Sequence, residues 1–75
     1  MAEQIIFDVA DELAQKALEI WEATGNEDIF DEVTQIIGTS SQTLEEAFKT
    51  AVRVRRAERR ALEMLADRKS ALGAK

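Results

Sequence analysis

Apolar side chains recur at intervals of three and four along residues 3–24, "EQIIFDVADELAQKALEIWEAT". Ile6, Val9 or Ala10, Leu13, Ala17 and Ile20 or Trp21 fall on one face of a 3.6-residue repeat. This pattern predicts a helix at about 11–24. Over residues 4–9 two readings stay open. Ile5, Phe7 and Val9 also alternate with Gln4, Ile6 and Asp8, and they are β-branched or aromatic, as in a short strand. In that case Asp11 caps a helix that starts at Glu12. Gly25 suits a left-handed C-terminal cap and Asn26 the next N-cap. Ile29, Phe30, Val33, Ile36 and Ile37 then share one helical face, predicting a short helix at about 27–37 that Gly38 ends.

Thr43 and Glu46 have the spacing of a capping box and open a long helix at about 43–72. Its apolar stripe is Leu44, Ala47, Phe48, Ala51, Val54, Ala57, Ala61, Leu65 and Leu72, drifting slowly around the helix as near-heptad patterns do. At 1.5 Å per residue the helix is about 45 Å long, more than the rest of so short a chain covers. Its far end, "ADRKSALGAK", is expected to be exposed or packed on another chain. The fold class is therefore mainly α: two short N-terminal helices, with or without a preceding strand, and one long C-terminal helix. An oligomeric helical hairpin or three-helix bundle is the alternative.

Composition narrows the picture. Seventy-five residues make one small domain, residues 1–75, whose core is marginal by itself. Cysteine and histidine are absent, which removes disulfides and the common zinc sites, and no loop has calcium-ligand spacing. Helix packing and oligomerisation remain as stabilisers. Proline is absent and glycine is confined to Gly25, Gly38 and Gly73, which favours helix. No apolar run is long enough to span a membrane, and the first residues carry acids where a secretion signal has bases. A cytoplasmic protein with no membrane contact is expected.

Charge divides the chain in two. Residues 1–40 carry ten acids against Lys16, a balance of −9, whereas residues 41–75 carry nine bases and five acids, a balance of +4. The acidic part, 1–38, can fold onto the basic helix, 43–72, or a copy can pair with it head to tail. The arginines Arg53, Arg55, Arg56, Arg59 and Arg60 are candidates for contact with nucleic acid or an acidic partner. No aromatic residue is interleaved among them, and on the wheel they lie opposite Val54, Ala57 and Ala61. Glu58 lies within the apolar stripe, with Arg68 and Lys69 at its edges, and a charge buried there needs a partner. Trp21 reads as core from its helical spacing to Ala17, with an interface anchor as the other reading.

Catalytic chemistry is not visible. The adjacent acids Asp11–Glu12, Glu27–Asp28, Asp31–Glu32 and Glu45–Glu46 point about 100° apart on a helix, so none faces its neighbour. They suit helix N-terminal turns. Ser40, Ser41 and Thr43 have no histidine to activate them. No catalytic, metal or cofactor residue is assigned, and the chain reads as non-enzymatic.

Two family resemblances attach to these motifs. "VTQIIGTSSQTLEEAFKTAV" resembles the first strand and helix of dodecins, matching at Gly38, Thr39, Ser40, Thr43, Glu45, Glu46 and Ala47. The chain then continues as helix where a dodecin returns to sheet, so no flavin site carries over. "IIFDVADELAQKALEIWEATGNED" is similar to the opening of ribbon-helix-helix antitoxins of the VapB and CopG type, with Asp11, Glu12 and Leu13 at the helix start and Gly25 at the turn. In a second register, "DEVTQIIGTSSQTLEEAFKTAVRVRRAERRALEML" resembles VapB sequences from their first helix onward. The resemblance implies a small dimer with a partner-binding helix and a strand that reads DNA. The outward positions of such a strand are Gln4, Ile6 and Asp8, beside Glu3, and these acids repel phosphate.

The expected function is an antitoxin-like protein–protein interaction module. Its long helix would bind a partner protein, such as a toxin, through Leu44, Phe48, Ala51, Val54, Ala61 and Leu65, rimmed by the arginines. A homodimer is expected because the stripe needs a cover. A DNA-binding repressor of ribbon-helix-helix type and a structural helical assembly unit are the alternatives.

Overall fold

The computed structural model describes residues 2–73, which form three helices and no strand: α1 (Ala2–Thr24), α2 (Asp28–Gly38) and α3 (Gln42–Gly73). The ambiguity at residues 4–9 resolves to helix. Ile5 and Phe7 are 66% and 58% exposed there, so the alternation that mimicked a strand comes from apolar residues on the helix's wet side. The strand implied by the ribbon-helix-helix resemblance is thus not formed by these residues.

Both links follow from local chemistry. Gly25 adopts φ 74°, a left-handed conformation that a side chain would strain, and its N–H donates to Trp21 O at 2.6 Å. Asn26 Oδ1 accepts the Asp28 N–H at 3.0 Å, supplying one of the partners that the first turn of α2 lacks. The second link differs from the capping box expected at Thr43. α3 starts one residue earlier, and Ser41 Oγ accepts the Leu44 N–H at 3.0 Å, so Ser41 is the cap. Ser40 and Ser41 both donate backbone N–H to Ile37 O, at 3.1 and 2.8 Å, wrapping the end of α2. "GTSSQT" is a helix–turn–helix joint.

α1 and α3 run in the same direction and pack directly on each other, and α2, which links them in sequence, lies against one side of the pair. Glu3, Ile6 and Phe7 line a groove with Thr43, Ala47 and Thr50; farther along, Asp11 reaches Arg55 and Glu22 reaches Arg59. Ala10, Ala14 and Ala17 give α1 a stripe of methyl groups against which Ala47, Phe48 and Val52 of α3 pack. Phe48 and Leu18 are the only large side chains below 2% exposure among the described residues. Ile29, Phe30, Val33 and Ile37 of α2 cover this core from one side, while every residue of α2 stays at least partly exposed.

The result is elongated. The Cα radius of gyration is 15.4 Å, against about 11 Å for a compact domain of this length. The extents are 54 × 31 × 13 Å. The shortest accommodates two helix layers, since packed axes lie about 8–10 Å apart. The longest reflects α3 outrunning the other helices.

Candidate interaction surface

α3 divides into three zones along its length. The first holds the core: Phe48 and Val52 are buried, and Leu44 and Ala51 are packed against them. Phe48 is therefore taken up inside the chain, while Leu44 and Ala51 keep part of their surface exposed. Phe48, at 1% exposure, has nothing left to offer a second molecule.

In the second zone the inward face changes from apolar to cationic without changing direction. Phe48, Val52, Arg55 and Arg59 follow one another at helical spacing, with Arg56 alongside. Arg55 forms a bidentate pair with Asp11, its Nε donating to Oδ1 at 2.8 Å and Nη2 to Oδ2 at 2.7 Å. Its Nη1 also donates to Glu58 Oε1 at 3.0 Å. The hydrogen bonds donated by Arg55 hold the Asp11 carboxyl below its ordinary pKa, and accepting carboxylates on Asp11 and Glu58 hold the guanidinium above its own. Arg56 donates to Glu27 at 3.3 Å and lies 4.6 Å from the Trp21 ring centre, within cation–π range. Arg59 pairs with Glu22. Trp21 is half-buried between Arg56 and Phe30, whose ring centre is 6.1 Å away. It is neither deep core nor a free anchor.

Three of the five candidate contact arginines are thus matched by acids of α1 and of the link that follows it, and the oppositely charged halves fold onto one another. Arg53 and Arg60 are exposed and make no ion pair among the described residues. The wheel had correctly set the arginines opposite Val54 and Ala61. What it could not supply was which side faces inward, and here the arginine side does. The cleft of about 750 Å³ beside Trp21 reflects this matching, being lined by Arg56, Arg59 and Arg60 with Glu22, Glu27 and Glu63. Its mixed charge gives it no preference for an anion.

The third zone is bare. Every residue from Arg60 to Gly73 is exposed. Leu62, Met64, Leu65 and Leu72 show 57%, 51%, 56% and 74% of their surfaces, and Val54 nearer the core shows 60%. Of the predicted partner residues, Val54, Ala61 and Leu65 lie on this outward surface. Leu62 and Met64, which the apolar stripe left out, lie beside them. Among the described residues no helix is long and apolar enough to cross a membrane, and no group of three or more acids is placed to hold a metal ion.

These features define a class: small all-α proteins in which three helices share an alanine-lined core and the third projects as an arm. No protein-family model matches the chain, and comparison with curated proteins and with solved structures gives no match.

Proposed function

We propose that this chain is a non-enzymatic protein–protein interaction module whose docking element is the arm of α3, from Val54 to Leu72. The observation that carries this reading is the set of exposed apolar side chains Val54, Leu62, Met64, Leu65 and Leu72 on a stretch of helix whose far end its own chain leaves uncovered. A helical stripe of this kind recognises another helix, seating its side chains between those of the partner. The repressor alternative draws less support, because residues 4–9 are helix and Arg55, Arg56 and Arg59 already have carboxylate partners.

A photo-crosslinking amino acid in place of Leu65, compared with one in place of the exposed Glu19 of α1, tests the reading in living cells. Discrete adducts from position 65 and none from position 19 are expected. Absence of adducts from position 65, or the same adducts from both positions, would overturn it.

A further inference from the structure

The outward stripe of α3 is complementary to its own reverse. Val54, Glu58, Ala61, Leu65, Arg68 and Leu72 are separated by steps of four, three, four, three and four residues, the spacing of a coiled-coil seam. Val54, Leu65 and Leu72 are 60%, 56% and 74% exposed, and Glu58, Ala61 and Arg68 are exposed with them. The same seam continues backward into Ala51 and Ala47, but there it is occupied: Ala47 is buried and Ala51 is packed at the core. As α1 climbs past Asp11 it follows the arginine side of α3 toward Arg55 and Arg59. The seam therefore comes free at Val54.

From these positions we propose that the arm pairs antiparallel with the arm of a second copy of this chain, about a two-fold axis near Glu63. In that register Val54 meets the partner's Leu72, Glu58 meets the partner's Arg68 and Ala61 meets the partner's Leu65. The two-fold repeats each contact in reverse, as an isologous interface requires. Small faces large at the centre, and apolar residues close both ends. The two charged residues of the seam, costly if buried alone, neutralise one another.

Glu58 is able to serve two arginines. Arg55 engages only its Oε1, leaving Oε2 to accept from the partner's Arg68. Arg68 forms no ion pair among the described residues. Leu62 and Met64 flank the seam on opposite sides near the axis. Each therefore meets its own symmetry mate, the partner's Leu62 and the partner's Met64, which accounts for the two exposed apolar residues outside the stripe. A parallel pairing sets Glu58 against the partner's Glu58 and Arg68 against the partner's Arg68, like charges at both seam positions. The charge pattern thus selects the antiparallel arrangement.

This pairing rests on the arm being a docking element and specifies what docks there. Charge exchange tests it in the full-length protein by sedimentation equilibrium. Glu58→Arg and Arg68→Glu are each expected to weaken the dimer by about tenfold or more, since each sets like charges together. Combining the two restores opposite charges and is expected to recover most of the loss. The Trp21 emission spectrum of each variant reports whether the three-helix core is intact. A second measurement uses the absence of cysteine from the chain. Oxidation of an equimolar mixture of Ala61→Cys and Leu65→Cys chains is expected to give the mixed disulfide in preference to either like pair. A wild-type chain that stays monomeric at about 100 μM, weaker than the weak end of specific association, would overturn the pairing. So would a combined variant no better than the single ones, or like pairs dominating the disulfides. Those results leave the docking reading standing if position 65 still crosslinks to a different protein, and remove it as well if position 65 yields nothing.

Discussion

Asp11 is a residue through which acid would loosen this fold. Its carboxylate is gripped by both Arg55 Nε and Nη2, and its folded pKa lies below the ordinary carboxylate value. A group lowered in the folded state stabilises it above about pH 4, and the contribution is lost as pH falls through the folded value. Asp11→Asn removes this titration. The variant is expected to be less stable at neutral pH and to show a shallower fall in stability below about pH 4, read from Trp21 emission during acid titration. An acid limb identical to wild type would contradict the assignment. Phe48 poses a different demand. It is the large side chain against which the alanines of α1 close, and Phe48→Ala is expected to cost about 3–5 kcal/mol. A chain of this length has only about 4–11 kcal/mol in all. Urea denaturation followed by circular dichroism should therefore find the variant largely unfolded or without a cooperative transition. A midpoint close to wild type would show that the core lies elsewhere.

Among the elements, α2 has the weakest hold. α1 brings Ala10, Ala14, Ala17 and Leu18 fully inside, whereas every residue of α2 keeps some contact with water. Its amides are expected to exchange with solvent faster than those of residues 10–18 in α1, because local opening there breaks fewer buried contacts. Equal protection of the two helices would show that they open only together. The helices themselves were legible in the order of residues: their punctuation at Gly25 and Gly38 and the reach of α3 follow from apolar spacing and glycine. The strand alternative at residues 4–9 could not be dismissed there, because alternation does not say which apolar residues are wet. Nor could the inward side of α3 be chosen from apolar residues alone. The signal was present in the charges: Val52, Arg55 and Arg59 continue the face of Phe48, and Asp11 and Glu22 on α1 and Glu27 in the link after it wait at matching heights. Following apolar letters only, the stripe slid onto Val54, Ala57 and Ala61, where it marks the outer surface instead.

At the scale of the whole molecule, the opposed charges of the two halves meet within one chain at three ion pairs among the described residues, Arg55–Asp11, Arg56–Glu27 and Arg59–Glu22. The bidentate Arg55–Asp11 pair and the Arg56–Trp21 stack close the bundle where its apolar core runs out, and half-exposed pairs of this kind add modest stability but fix orientation. That orientation is what leaves Val54, Leu65 and Leu72 facing water. The bare arm also sets how long any association through it lasts. A helix of about four turns is marginal when unsupported, so a newly free arm frays and must be ordered again at each encounter. Part of the contact energy goes into that ordering, which shortens the lifetime of the bound state without requiring fewer contacts. For the docking proposed above, a firm base and a conditional arm predict exchange: a partner would leave and return while the base stays folded.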